Sequence, residues 1–334
     1  MGRLAFSVLF AVIVLPAATI LDDLAAGAKL SATQVSAIEV AVGQSKSTLP
    51  DRLRLLGWYS AHPDAQQRDK RVALILALAQ RGELGRLATH EAARIRREGT
   101  DALASPEGYT QVKAALLARA EKTARPVDRS NAAWFVFFEE PDEAIRIAAE
   151  SGLKRDTAVM AAQYLLGVVT PDARSSGFGR GLLQMVNETD EPLFQYAFGG
   201  TLRQLGASLY AMGKTEWDYT ELANQALARA AKAEPQQTNC AFTPAALPAR
   251  GGSLTAAAKV ASESLAAAAP GEVAFHALIG CSGYATSLEW LDGSSESVGA
   301  AKREIAARHF DVPLVKGQPS QTIQIVGAGG RKAR

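Results

Sequence analysis

The sequence predicts a mostly α protein: a helical-repeat array followed by a small α+β module in the order strand, strand, helix, strand. Three observations predict it. Aromatic residues make up only 7% of the 334 residues while alanine, the strongest helix former, is abundant. From Arg52 to Glu234, apolar residues recur at helical spacing and are cut at intervals of roughly 15–25 residues by proline, glycine or a capping residue. After Gly271 the pattern changes to short alternating runs bounded by turn residues. The chain is long enough for two domains. Its 36 basic and 34 acidic residues leave a net charge of +2, which gives no electrostatic case for nucleic acid.

At the N-terminus, Arg3 precedes an apolar run from Leu4 to Leu21, and small residues follow. Residues 1–28 read as a secretory signal, with Ala26-Gly27-Ala28 as one cleavage junction and Ala18 as another. The run is also about long enough for an uncleaved membrane anchor, and a buried first helix of the fold is the third reading. Cys240 and Cys281 form an even pair. An exported chain permits one disulfide between them, and two buried thiols are the alternative.

Residues 29–235 are assigned to the helical array. A short helix spans Leu30–Val42, and another opens at Pro50-Asp51 and ends at His62. The next runs from Arg68 to Gln80, and a further one is predicted at Glu91–Glu98. Ser105-Pro106-Glu107 is a capped start, and Arg125-Pro126 breaks the helix it opens. The stretch Ser130–Gly152 reads as two helices joined at Glu140-Pro141. The first presents Trp134, Phe135, Phe137 and Phe138, and the second begins with proline and two acids, which suit its positive end. Helices follow at Lys154–Val169, Leu182–Glu188, Pro192–Met212 and Trp217–Glu234, with a glycine-rich loop at Ser175–Gly181. Residues 236–252 carry two prolines and no helical stripe and read as a linker. Residues 253–327 form the second module: a strand at Glu272–Gly280, a second at Ala285–Leu291, a helix at Glu296–His309 and a last strand at Gln321–Val326. Residues 328–334 read as a tail.

The helix-plus-breaker units of the middle half resemble tetratricopeptide-like repeats, although Leu55-Leu56-Gly57-Trp58-Tyr59 holds the right residue types out of order. The C-terminal succession resembles the C-terminal domain of the TonB energy-transducer family. The matching residues are the strand and turn Phe275–Gly283, the ending Leu291-Asp292-Gly293, the helix Ala300–Phe310, Pro313, and the turn Lys316-Gly317-Gln318-Pro319 before an alternating strand. That resemblance implies a cell-envelope location and docking by strand addition. A tyrosine-proline pair before the first strand and a long proline- and lysine-rich spacer are missing.

Candidate chemistry is sparse. His62, His90, His276 and His309 have no partner at metal-ligand spacing, so no metal or other cofactor is expected. His276 alternates within a strand and is placed toward solvent. The acids Glu139, Glu140, Asp142 and Glu143 bracket a helix start, and the Trp134–Phe138 aromatics read as core. The expected protein is therefore non-enzymatic and exported to the periplasm or beyond, or anchored in the inner membrane facing the periplasm. It binds a protein or peptide partner, with Gln321, Ile323 and Ile325 marking the edge strand that pairs with it. The alternatives are an envelope enzyme of hydrolase type with a scattered site, and a permanent structural subunit of an envelope complex.

Overall fold

The computed structural model describes residues 17–329, apart from Ala102, Pro171, Glu216, 235–239, 242–243, 246 and 249–271. The apolar run before residue 17, much of the predicted linker and the last five residues therefore lie outside the described residues. The fold is mostly helical. Its helices are α1 (Ala17–Gly27), α2 (Ala32–Gly43), α3 (Leu49–Ala61), α4 (Ala65–Arg81), α5 (Pro106–Thr123), α6 (Pro126–Phe137), α7 (Pro141–Glu150), α8 (Lys154–Leu165), α9 (Gly177–Glu188), α10 (Pro192–Thr201), α11 (Ala207–Ala211), α12 (Thr220–Ala231) and α13 (Val298–Ala306). The strands are β1 (Glu272–Ile279), β2 (Ala285–Asp292), β3 (Leu314–Val315), β4 (Gln318–Pro319) and β5 (Thr322–Gly329).

Local chemistry sets the helix starts. Ser31 and Thr48 form capping boxes with Gln34 and Asp51, and the side chains of Asp64, Ser105, Ser176 and Glu191 cap the helices that follow them. Proline stands at the first turn of α5, α6, α7 and α10, where no N–H is needed. Adjacent helices pack in a row and share one core, with Leu56, Ile75, Leu78, Val112, Phe137 and Phe198 wholly enclosed. Trp134, Phe135 and Phe137 are buried at its middle. The neighbouring acids are tied down: Glu139 pairs with Arg94, and Glu140 accepts from Arg97, Tyr109 and Lys113. Burial pushes the Glu140 carboxyl up, but Lys113, then Glu143 and the Tyr109 hydroxyl, outweigh it and hold it below the usual range.

The predicted helix at Glu91–Glu98 is absent. Short 3-10 turns cover Gly85–Thr89 and Glu91–Ala93, and Arg94 is extended. Buried Arg71 explains this: its Nε donates to Ala92 O at 3.0 Å and its Nη2 to Arg94 O, carbonyls that a helix would have used. The glycine-rich stretch is the first turn of α9, not a loop. Ser176 Oγ accepts from Gly179 N at 2.9 Å, and a Cβ on Gly179 would lie 2.0 Å from Ala173 O, so glycine is what lets α9 approach. Gly327 to Gly329 are likewise not tail but ladder, opposite Ala274, Val273 and Glu272.

The second module keeps the expected order and adds a two-residue hairpin, β3–β4, turned at Lys316-Gly317 with both residues at positive φ. Its main sheet is antiparallel in the order β2-β1-β5. Val273, Phe275, Ala277, Ile279, Val326 and Ala328 point to one face and pack on Ala301 and Ile305 of α13. Ala274, His276 and Leu278 point to the other face and are equally buried, because the helical array covers it. Polar ties cross that junction: Arg125 Nε donates to Asp292 Oδ1 at 3.0 Å, Arg155 N to Glu289 Oε2 at 2.9 Å, and Ser287 Oγ to Glu191. Cys240 and Cys281 are joined in a disulfide with Cα atoms 5.4 Å apart, which holds the linker to the end of β1.

Helix α1 is a packed member of the array. Leu24 is buried, Arg54 pairs with Asp23 at 3.0 Å, and glycines at the crossing let the backbones meet. A Cβ on Gly57 would sit 2.1 Å from Leu24 O, and one on Gly27 would sit 1.9 Å from Arg54 O. Gly57→Ala therefore sets an overpacking cost of about 1–3 kcal/mol against a helix-propensity gain of about 1 kcal/mol. Net destabilisation is expected, read as a lower urea midpoint. An unchanged or higher midpoint contradicts the α1–α3 contact.

Candidate functional site: a polar cavity at the outer strand

A cavity of about 270 Å³ lies between the helical array and β5. Arg155 and Val159 come to it from α8, and Tyr196, Ala197, Gly200 and Thr201 from α10. Arg203 and Gln204 come from a single π turn, Leu202–Gly206, between α10 and α11. Two glycines at its flanks pack closely on neighbouring elements. Gly199 lies against Ala223 and Leu227 of α12, and Gly206 lies against the Tyr219 ring, where a Cβ would meet ring atoms at 2.8 Å. Thr322 to Ile325 and His276 close the other side.

The edge of β5 facing the cavity is readable from the ladder. Gly280 N donates to Tyr284 O, and Thr286 Oγ1 donates to Leu278 O, so even-numbered β1 residues turn their backbone groups toward β2. Their β5 partners, Ile325 opposite His276 and Ile323 opposite Leu278, therefore turn theirs away from β1. The same side presents Gln321 O, which accepts from Tyr196 Oη at 2.6 Å, and Gly327 O, which accepts from Arg308 Nη1 at 3.0 Å. Gln321, Ile323 and Ile325 thus stand together on the outer strand, with Gln321 already engaged. Gln321 Nε2 also donates to Glu234 Oε1 at 2.6 Å.

His276 is corrected by the structure. It is 1% exposed rather than turned to solvent, because both faces of β1 are covered. Neither ring nitrogen has a hydrogen-bond partner among the described residues. Its Nδ1 lies 3.6 Å from Glu289 Oε1, too long for a hydrogen bond. Burial, then the charge of Arg155, lowers the imidazole to about 3. Burial raises the Glu289 carboxyl to about 7 against the pull of the Arg155 N–H and guanidinium. Between about pH 3 and about pH 7 both groups are neutral rather than an ion pair. Burial also raises the Tyr196 phenol, with Arg203 beside it working in the opposite direction. The Arg203 guanidinium, that of Arg155 with its Nη1 on Asp156 at 3.2 Å, the His276 imidazole of the central strand, Thr201 and Gln204 thus line one cavity beside the outer strand. Such a wall attracts an anion and can donate hydrogen bonds to it.

Elsewhere, His62 stacks on Trp58, His90 caps Ala92 N at 3.1 Å, and His309 lies edge-on to Tyr284. Glu234 and the sulfurs of Cys240 and Cys281 bring three ligand-type atoms within 4.8 Å of one another. With the sulfurs joined, the carboxylate alone has a ligand's charge. Sequence reasoning missed Arg155, Tyr196, Arg203, Gln204 and Glu289 as site residues. Their only signal was polarity inside otherwise apolar helix and strand patterns. No family model, curated protein or solved structure matches this chain.

The Glu289 shift has a sign. A carboxyl raised in the folded state contributes stability below its unfolded value of about 4.5, and that stability is lost as pH rises through about 7. His276, lowered on folding, acts oppositely and loses its contribution as pH falls below 6.5. Glu289→Gln removes the first effect alone. Wild type should lose on the order of 3 kcal/mol more than the variant between pH 4.5 and 7.5, read from denaturant midpoints. Parallel pH profiles contradict the buried neutral carboxyl.

Proposed function

We propose that this chain is an exported protein-interaction scaffold of the cell envelope, with tetratricopeptide-like helices carrying a TonB-like docking module. The docking element is the β5 edge, and its partner is an extended peptide that adds as a further strand. One observation carries the reading: Ile323 and Ile325 line a cavity and, by the ladder register, turn their backbone groups away from β1, on a side where no strand pairs among the described residues. An uncovered edge is a template for pairing, and folds that do not use one blunt or cover it.

The edge can be tested without breaking the sheet. Ile323 gives no ladder bond to β1, so proline there removes an outward N–H and leaves the β1–β5 ladder intact. Ile323→Pro should keep its melting midpoint within a few degrees. It should lower affinity at least tenfold for peptides selected against the wild-type chain from a random display library. Peptides that bind the variant as tightly as wild type contradict strand docking.

Export is proposed on the charge and apolar pattern of the N-terminus, and the packing of α1 refines the junction. Cleavage at Ala26–Ala28 would strip α1 from α3, whereas cleavage after Ala18 keeps all but its first two residues. Among the described residues no helix is long and apolar enough to cross a membrane. Intact mass of the mature chain should begin at Thr19. A start at Lys29 contradicts the structural role of α1, and a full-length chain contradicts cleavage.

A further inference from the structure

The open part of the β5 edge is short and closed at both ends. Tyr196 occupies Gln321 O and Arg308 occupies Gly327 O, which leaves the Ile323 and Ile325 backbones between them. A strand added there pairs over about four residues. Both ladders of the main sheet are antiparallel. A peptide that continues this pattern passes Ile325 first, then Ile323, and meets the Tyr196 side chain. Pairing stops there, and the antiparallel direction brings the peptide's C-terminal end to that point.

The chemistry of that end agrees. Arg155 and Arg203 both line the cavity, and each guanidinium carries a planar fork of N–H donors. The Arg155 side chain is 12% exposed and its Nη1 pairs with buried Asp156 Oδ1 at 3.2 Å, so what it offers the cavity is N–H donors more than net charge. His276 lines the cavity with ring nitrogens that have no hydrogen-bond partner among the described residues, from a side chain that is itself almost wholly buried. An arriving ammonium, which parallel addition would bring, meets guanidinium groups that have no acceptor to offer it. An arriving carboxylate meets complementary charge and donors. Val159, Ala197, Ile323 and Ile325 supply the apolar remainder of the lining. The cavity of 270 Å³ equals about nine water volumes, room for a terminal carboxylate and one apolar side chain.

We propose that the cavity binds the free C-terminal carboxylate and the apolar last side chain of a peptide docked antiparallel on β5. This rests on the strand-docking reading and narrows it to a class of partner: proteins whose C-terminal residues are extended and end in an apolar residue.

The test uses the full chain and two libraries of random octapeptides, one displayed at the carrier's free C-terminus and the other at an internal site. Enrichment is expected from the first library alone, with apolar last residues. Selected peptides are then synthesised as acid and amide and titrated by fluorescence anisotropy. Amidation should weaken binding at least tenfold to the wild-type chain, a comparison that needs no variant to fold. Arg203→Gln should weaken the acid about tenfold and leave the amide nearly unchanged, and Ile323→Pro should weaken both. Acid and amide binding equally, with Ile323→Pro still disruptive, overturns the carboxylate site and leaves strand docking standing. Binding that Ile323→Pro does not change overturns strand docking. No enrichment from either library overturns both.

Discussion

Strand β1 has no solvent face, and most of the structure follows from that constraint. Residues 273, 275, 277 and 279 are buried toward α13, and residues 274, 276 and 278 are buried toward the helical array. A three-stranded sheet with one covered face could stand as a satellite on a flexible linker. A sheet buried on both faces has to be held against its neighbour. The Arg125–Asp292 pair, the Arg155 N–Glu289 bond, the Tyr196–Gln321 bond and the Cys240–Cys281 bridge all lie along that junction. The array is in turn shaped to receive the sheet: α10 bears on β1 and β2, and the π turn after it redirects the chain where β5 begins.

That junction is not uniformly apolar, and its polar residues create the candidate site. His276 and Glu289 face the array where Leu278 and Ala274 would suggest plain packing. Desolvation keeps both neutral, so they are tolerated in the interior at some cost in stability. Apolar residues at both positions would pack better, which is the physical reason to seek a role for His276 outside the fold. The cavity lies beside it, bounded by two arginines and by the strand edge.

The helices were legible because their starts are local. Capping side chains at Ser31, Thr48, Asp64 and Ser105 and prolines at 106, 126, 141 and 192 act within one turn, so short windows suffice. The elements misread were those decided from a distance. Arg71 takes the carbonyls of Ala92 and Arg94 from more than 20 positions away and unwinds a segment that otherwise reads as helix. The Ser175–Gly181 glycines look like a loop until Ala173 is seen packed against Gly179. His276 looks half-exposed by alternation, and only the docking of the array on the second face buries it. The site residues share this property. Arg155, Tyr196, Arg203 and Glu289 belong to four elements, and no sequence spacing connects them. The order strand, strand, helix, strand was readable, yet the added β3–β4 hairpin and the extension of β5 through Gly329 were not. Glycine and alanine carry no strand signal there, and the ladder with β1 supplies it.

Strand docking depends most on the outward turn of the Ile323 and Ile325 backbones in the free chain. Residue-resolved amide hydrogen exchange by NMR reads it directly. Gln324 and Val326 stand in the hydrogen-bonded register with Ala277 and Phe275, so their amides should exchange at least a hundredfold more slowly than those of Ile323 and Ile325. Four amides protected to the same degree would show that another part of the chain already pairs with this edge, and would contradict an open docking strand.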